Sequence, residues 1–192
     1  MKSSSKKLID QVQTAPNTVF LAEDEAGLYL QATTASVWAP VGQTPVVRVD
    51  PGRAQTHFYG SLNLLTGQEL VWRSDVMNAH VSAQYLEMLL TAHPDKPVVL
   101  FWDRAPWHRG QPIQQVLADN PRLEIIYFPA GSPELNPQEH VWKATRQSVS
   151  HNHDEPRLPK VAAQFETHLT TTTFSSSFLE HHGYTAIRPM FI

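Results

Sequence analysis

The chain has 192 residues, of which 41% are hydrophobic and 17% are charged, and its formal net charge is −3. This composition can fill the core of a compact domain, which excludes a disordered chain, and it gives no overall positive charge for binding nucleic acid. The lack of cysteine excludes disulfides and thiolate metal sites. No apolar run approaches the ~20 residues of a membrane helix, so we expect a cytoplasmic protein without a membrane partner.

The first strands are predicted close to the start of the chain. Residues 1–16 are expected to form a lead-in or a short helix, followed by a folded domain over residues 17–192. The apolar run at residues 18–22 is too short for a helix and predicts a buried strand that stops at Asp24. Residues 27–31 are expected to return as its hairpin partner across a turn.

A loop and a second pair of strands are predicted next. Two prolines and a glycine within residues 37–45 indicate loop and edge structure. Residues 57–65 and 68–73 have the pattern of strands, with Thr66 and Gly67 in the turn between them.

The second half of the chain alternates predicted helices and strands. Asn78 can cap a helix whose apolar positions recur at helical spacing, at Val81, Tyr85, Leu89 and Ala92. The continuous apolar run at residues 98–102 predicts a central strand covered on both faces and bounded by Asp103. After it come a short helix with Ile113, Val116 and Leu117 facing inward and a strand at 123–128. The last two predicted elements are a helix that begins after Asn136, with Val141, Ala144, Thr145 and Val149 on one face, and a helix at 158–169.

The order of these elements predicts the class of the fold. Three strands are followed by helix, strand, helix, strand and helix, which gives an α/β fold with a mixed sheet of parallel and antiparallel pairs. The Thr- and Ser-rich runs at 170–173 and 175–177 favour neither helix nor core, and we expect a bend there with Phe174, Phe178 and Leu179 as anchors.

Three acidic residues have positions that suit a metal site. Asp24 and Asp103 each follow a predicted buried strand, so their carboxylates would emerge at the same sheet edge if the strands are parallel neighbours. Glu139 falls in the first turn of a helix near the strand that ends at Phe128. Converging oxygen ligands suit Mg²⁺ or Mn²⁺, and two such ions can stabilise both the attacking and leaving oxygens of a displacement at phosphorus.

Each of these residues also has a purely structural interpretation. An Asp after a strand is often a turn residue or a helix cap. The segment Asn136 to Glu139 fits a capping box with Pro at the first helical position, in which Glu139 would only complete the cap. The two roles can coexist, because the positive end of a helix keeps a carboxylate ionised.

Other candidate residues are weaker. His151, His153 and Asp154 could form a metal cluster, but they lie in a polar loop, and His181 and His182 have the pattern of surface residues. Aromatic side chains that could stack on bases occur at three positions, of which Trp102 and Trp142 are favoured as core residues and Trp107 stays open. There is no Gly-rich phosphate loop and no Gly-x-Ser-x-Gly elbow.

Three motifs resemble those of the bacterial insertion-sequence branch of the mariner-type transposase superfamily. Asp24-Glu25 after an apolar strand resembles the first motif, and Phe-Trp-Asp-Arg-Ala-Pro-Trp-His, which ends at His108, resembles the second. Ser-Pro-Glu-Leu-Asn-Pro-Gln-Glu-His-Val-Trp, which ends at Trp142, is similar to the third and is highly specific. The resemblance covers about residues 16–150, including the loop after Trp38.

The resemblance implies an RNase H-like fold, a mixed five-stranded sheet flanked by helices. It implies a catalytic triad of Asp24, Asp103 and Glu139 that holds two Mg²⁺ or Mn²⁺ ions for cleavage of transposon ends and strand transfer by the freed 3′-hydroxyl. Two supporting residues are expected: Asn136 as the cap of the helix that carries Glu139, and His108 near the site, orienting a ligand or contacting a phosphate.

The implied partners are DNA, as transposon ends and target, and a helix-turn-helix DNA-binding region that is separate or missing here. A homodimer and an association with the bacterial nucleoid are further expectations. Two departures from the family pattern stand out: Arg104 occupies a position where the family often has Asn, and Asp103 and Glu139 are one residue further apart than usual.

Two other functions stay open on the sequence. One is another RNase H-like nuclease, such as a junction resolvase or a ribonuclease, against which the motif that ends at Trp142 argues. The other is an inactive or co-opted interaction domain, against which the intact acidic triad argues.

Overall fold

Five strands form one mixed sheet in the order β3-β2-β1-β4-β5. The structure is a computed structural model that describes residues 17–46, 52–129, 131 and 133–174, without the side chain of Glu134. β1 pairs antiparallel with β2 and parallel with β4, which in turn pairs parallel with β5. The strands are β1 (Val19–Tyr29), β2 (Gln55–Asn63), β3 (Glu69–Ser74), β4 (Val98–Trp102) and β5 (Leu123–Tyr127).

β1 differs from the prediction. The strand does not stop at Asp24, and residues 27–29 are not a hairpin partner, because one strand of 11 residues runs through both segments. It continues because β2 pairs with it from Leu21 to Tyr29, which provides hydrogen-bond partners along its whole second half. Asp24 therefore lies within a strand, where side chains alternate between the two faces of the sheet.

Within the described residues, four α-helices cover the sheet: α1 (Ala79–Ala92), α2 (Gln111–Asp119), α3 (Pro137–Thr145) and α4 (Leu158–Thr171). Asn78 caps α1 through its side-chain oxygen, which accepts from the N–H groups of His80 and Val81, as predicted. Short 3₁₀ turns lie at Pro106–His108 and Pro133–Leu135, and a π-helical turn at Arg146–Ser150 extends α3.

The sheet has a hydrophobic core on each face. The core beneath α3 and α4 includes Phe20, Ala22, Phe58, Val99, Trp142 and Phe165. The opposite core, beneath α1 and α2, includes Leu21, Tyr59, Tyr85, Leu100, Trp102 and Ile113. Neighbouring residues of β1 and β4 thus enter opposite cores, and burial on both faces explains why residues 98–102 are a continuous apolar run.

The other predicted strands and helices are confirmed, and the bounds that were predicted differ by at most two residues at each end. Of the predicted inward positions of α1, Ala92 at the end of the helix is exposed. The loop at 37–45 contains no helix or strand, and the side chain of Trp38 in it is fully exposed. No helix of the described part has the length and apolar character needed to span a membrane. The expectations for residues 1–16 and for 175–192, including Phe178 and Leu179, lie outside the described residues, whereas Phe174 is buried.

Candidate active site

Asp24, Asp103 and Glu139 line one cleft beside the end of the central strand β4. In the parallel pairing of β1 and β4, Ala22 lies opposite Phe101. Asp24 and Asp103 each come two residues after this pair along their own strand direction. Glu139, in the first turn of α3, faces the same space. The cleft has a volume of about 330 Å³, and its other lining residues are Arg104, Ala105, Phe128, Pro129, Gly131, Pro133 and Asn136.

Asp24 is the most buried of the three carboxylates, with 9% of its surface exposed. It lies on the same face of β1 as Ala22 and Ala26, and the indole N–H of Trp142 donates to its Oδ2 at 3.1 Å. Burial raises the pKa of Asp24 well above its usual range, and the charges of Glu139, Glu25 and Asp103 raise it further. A buried carboxyl among other acids needs a proton or a cation, and this is the electrostatic setting of a metal site.

Asp103 is half-exposed at the end of β4 and is held by two hydrogen bonds. Its Oδ1 accepts from the backbone N–H of Ala105 at 2.8 Å and lies 2.7 Å from Nδ1 of His108. Burial alone would raise the pKa of Asp103, but these hydrogen bonds and the His108 charge hold it below its usual value. Asp103 therefore makes a turn hydrogen bond and also lines the cleft.

Glu139 is exposed on the rim of the cleft, and the helix that carries it begins as predicted. Asn136 is the N-cap of α3, and its side-chain oxygen accepts from the N–H of Gln138 at 3.1 Å. The N–H of Asn136 donates to the carbonyl of Pro133 at 2.9 Å. Because that N–H is already used, the reciprocal bond of a capping box is not needed, and the Glu139 carboxylate faces the cleft instead.

His108 lies directly behind the cleft and joins two acidic residues. It is 1% exposed and stacks on the ring of Trp102 at a centroid distance of 3.9 Å. While Nδ1 contacts Asp103, Nε2 lies 2.8 Å from Oε1 of Glu25. Burial alone would lower the pKa of His108, but the contacts with Asp103 and Glu25 raise it to about 9. His108 therefore contacts one of the three expected site residues, and its role there stays a prediction.

The sequence did not single out Glu23 and Glu25 as members of the site. They flank Asp24 in β1, so they face the opposite side of the sheet, where both side chains are buried against His108. Within the described part of the chain, Glu23, Glu25 and His108 are the only group of three whose ligand atoms all lie within 4.8 Å of one another. Burial and the charges of Glu25 and Asp24 raise the pKa of Glu23 well above its usual range.

The remaining candidates have structural positions. The side chain of Asn152 hydrogen bonds to the N–H and carbonyl of Ala35, which holds the loop at 151–154 against the chain, and the described residues form no metal cluster there. Trp102 and Trp142 are core residues, as favoured, and Trp107 is half-buried with its ring edge-on to His108. His181 and His182 lie outside the described residues.

Comparisons of the sequence with known proteins identify related chains. Residues 19–160 match the family model described as DDE superfamily endonuclease. The chain is also 29% identical over 152 residues to the insertion element IS630 uncharacterized 39 kDa protein of Shigella sonnei. That match covers 77% of this chain and 43% of the relative, so the chain spans less than half the length of the curated protein it resembles.

Solved structures of Mos1 transposase share the fold. The Mos1 mariner paired-end complex with Mn matches with a TM-score of 0.65 at 15% identity, over 99% of this chain and 58% of that one. The catalytic domain of Mos1 mariner transposase matches with a TM-score of 0.62 at 12% identity, over 99% of this chain and 87% of that one. The predicted RNase H-like fold is thus confirmed, and with a family match that spans most of its sheet and helices, the chain belongs to the DDE superfamily endonucleases.

Proposed function

We propose that this chain is the catalytic domain of a cut-and-paste DNA transposase, which cleaves DNA at transposon ends and joins the freed 3′-hydroxyl to target DNA. The observation that carries the proposal is the single cleft lined by Asp24, Asp103 and Glu139 in a chain of the DDE endonuclease family. We assign these three carboxylates as the metal ligands and catalytic residues.

The donor set fits a hard divalent cation. All three side chains offer carboxylate oxygens, which Mg²⁺ and Mn²⁺ prefer, and the cleft provides no thiolate or imidazole ligand. The raised pKa of Asp24 has the same implication, since a cation would relieve the repulsion that burial and the neighbouring acids create. One of the related Mos1 structures is a complex with Mn, which supports the choice of ion.

We propose two ions in the cleft. The three carboxylates line one cleft of about 330 Å³, which has room for more than one ion. Two ions separated by roughly 3.5–4 Å would span such a space and would stabilise the attacking and leaving oxygens of an in-line displacement at phosphorus.

The protein's own contribution is to hold these carboxylates in place before DNA arrives. Asp103 is fixed by the N–H of Ala105 and by His108, so it can enter the reaction without reorganisation. Glu139 is fixed through the cap at Asn136, whose side-chain N–H also donates to the carbonyl of Glu23 in β1 at 3.1 Å. The contact of His108 with Asp103 and the bond from Asn136 to β1 hold the rim of the cleft to other elements of the fold.

We further propose that DNA recognition depends on a helix-turn-helix region outside this chain and that the working protein is a homodimer associated with the bacterial nucleoid. The net charge of −3 supports the first point, because it provides little general attraction for DNA. The homodimer is supported by the related Mos1 structure, which is a paired-end complex. The catalytic domain itself would extend from residue 17 to residue 192.

A strand-cleavage assay tests the function. The 192-residue chain is incubated with Mg²⁺ or Mn²⁺ and with DNA that carries the inverted repeats flanking its gene, a branched DNA, or an RNA–DNA hybrid. Because sequence recognition is proposed to lie outside this chain, we expect metal-dependent cleavage of the repeat duplex without strong preference for its sequence, lowered by about 100-fold or more in Asp103→Asn. Preference for branched DNA or the hybrid would indicate another RNase H-like nuclease, and cleavage that Asp103→Asn leaves unchanged would contradict the assignment.

A further inference from the structure

We propose that Trp142 is a positioning residue for the metal site: its indole N–H fixes the carboxylate of Asp24, and Gly60 provides the space that allows this contact. The inference rests on the proposed function, because it concerns how tightly the cleft binds a divalent cation. It assigns a role in metal affinity to two residues that would not themselves touch the metal.

The contact itself is specific. Trp142 is fully buried, and its Nε1–H donates to Oδ2 of Asp24 at 3.1 Å. An indole N–H can only donate, so it orients a carboxylate without competing for a cation. In a buried, low-dielectric setting such a hydrogen bond to a charged group is stronger than one in water, and it restricts Asp24 to one orientation towards the cleft.

The same helix holds both Trp142 and Glu139. These residues are three positions apart in α3, so they lie on neighbouring parts of one helix face. Beside them, the amide of Gln138 donates to the buried carboxyl of Glu69 in β3. The side chains of Asn136, Gln138 and Trp142 thus make three hydrogen bonds from α3 and its N-cap to the sheet. The position of α3 therefore determines both where Glu139 lies and how Asp24 is oriented.

Gly60 makes the close approach of the helix possible. It lies directly opposite Asp24 in the antiparallel pairing of β1 and β2. A Cβ atom at this position would overlap with the ring of Trp142, the amide of Gln138 and the carboxyl of Glu69. The ends of Gln138 and Glu69 could move aside, but the rigid ring of Trp142 would have to shift, which would disturb its bond to Asp24 although position 60 is not part of the cleft lining.

The simpler explanation is that Trp142 is only a core residue. Its ring stacks against Phe165 at a centroid distance of 6.3 Å, so part of its role is packing. Trp142→Phe separates the two explanations, because it keeps a buried aromatic ring and removes the N–H. Phe165→Leu is the matched control, because it disturbs the same core but leaves the indole bond to Asp24 in place.

The experiment measures Mn²⁺ binding to the full chain by calorimetry, beside thermal melts. We expect Trp142→Phe to bind Mn²⁺ about tenfold more weakly or worse, whereas Phe165→Leu should lower the melting temperature without changing the affinity. In ¹⁵N spectra of the wild type, the indole signal lost in Trp142→Phe should shift on addition of Mg²⁺, and the shift should disappear in Asp24→Asn. Gly60→Ala should weaken Mn²⁺ binding in the same direction.

The outcomes separate the inference from the proposed function. If the wild type binds Mn²⁺ and Trp142→Phe binds it equally well, the positioning role is wrong while the metal site stands. If the wild type itself binds no Mn²⁺, the metal site and the inference both fall. If Trp142→Phe does not fold, the Trp142 indole signal is assigned from through-bond spectra of the wild type, and a signal that does not shift with Mg²⁺ overturns the inference.

Discussion

His108 contacts Asp103 through one ring nitrogen, with 2.7 Å between Nδ1 and Oδ1, and this places a buried imidazole directly behind an exposed carboxylate of the cleft. The other nitrogen contacts Glu25, so the ring bridges the end of β4 and the interior of β1. His108 would thus orient the carboxylate of Asp103 without itself contacting a bound metal ion.

Replacement of His108 should therefore damage both stability and the site. In His108→Ala the buried carboxylate of Glu25 loses its partner, and breaking a buried pair in this way costs about 3–5 kcal/mol. His108→Gln keeps a polar group that can donate to one acid and should cost less. Urea unfolding measures the difference, and equal stabilities of Ala and Gln variants would show that the bridge contributes little.

The stability of the metal-free protein should fall as the pH rises. The folded pKa of His108 is about 9, above the value near 6.5 of an unfolded chain, so its contribution is fully present below pH 6.5 and is lost as the pH approaches 9. The pKa values of Glu23, Asp24 and Glu69 are also raised, which means that ionising these buried acids at higher pH costs stability in the same direction.

Unfolding in urea with EDTA, repeated between pH 5 and pH 9, tests this dependence. Added Mg²⁺ should restore part of the stability at the alkaline end, because a cation replaces the proton that Asp24 has lost. Stability that increases from pH 6.5 to 9 without metal would contradict the buried positions of these groups. Asp24→Asn should remove the Mg²⁺ effect and serves as the control.

Asn136 and Asn78 form a matched pair for testing how a helix cap affects the site. Both are N-caps, of α3 and α1, and replacement by Ala should cost about 1 kcal/mol of stability at Asn78 and more at Asn136, which also loses its buried bond to the carbonyl of Glu23. Only Asn136→Ala should also weaken Mg²⁺ binding, because α3 carries Glu139. Thermal melts with and without Mg²⁺ compare the two, and an equal response of both variants to Mg²⁺ would mean that the cap of α3 does not position Glu139.

Arg104 is expected to bind a DNA phosphate at the rim of the cleft. Its guanidinium lies 5.0 Å from the ring centroid of the half-exposed Tyr127, and its carbonyl accepts from Arg109 at 2.8 Å, so both side chain and backbone are held. Arg104→Gln should weaken DNA binding and reduce the slope of log affinity against log salt by about 1. Arg157→Gln, on an exposed residue outside the cleft lining, should leave the slope unchanged.

The slope is measured by fluorescence anisotropy on a labelled duplex over a series of salt concentrations. If Arg104→Gln and Arg157→Gln have the same effect, the attraction is a general property of the surface. In that case Arg104 would have only a packing role against Tyr127.

Much of the site could be predicted from local pattern. The apolar run before Asp103 and the cap at Asn136 depend on neighbouring residues alone, and both are confirmed. The extent of β1 could not be predicted in this way, because Asp24 and Glu25 interrupt its apolar pattern and resemble the end of a strand. They are tolerated inside the sheet because Trp142 and His108 contact them from positions 118 and 83 residues away in sequence.

The same distance in sequence explains why Glu23 and Glu25 were missed. Neighbouring residues in the sequence do not indicate that an acid is buried. Its burial can be predicted only when the distant residue that pairs with its charge is known. Alternation along a strand would have placed both residues on the face opposite Asp24, but only if that strand had been predicted to continue past the acids.

The run Glu23-Asp24-Glu25 also has a consequence for how the chain folds. If β1 slipped by one residue against its neighbours, every side chain would change face. A glutamate would then enter the cleft in place of Asp24, and the aspartate would face His108. The single acid facing the cleft would be conserved, and beside His108 one of two acids would be lost because Ala22 or Ala26 would replace a glutamate, so electrostatics alone would oppose the error only weakly. The choice between native and slipped pairing thus falls to the apolar side chains of β1, above all Phe20 and Leu21, which fit the cores on their own sides of the sheet.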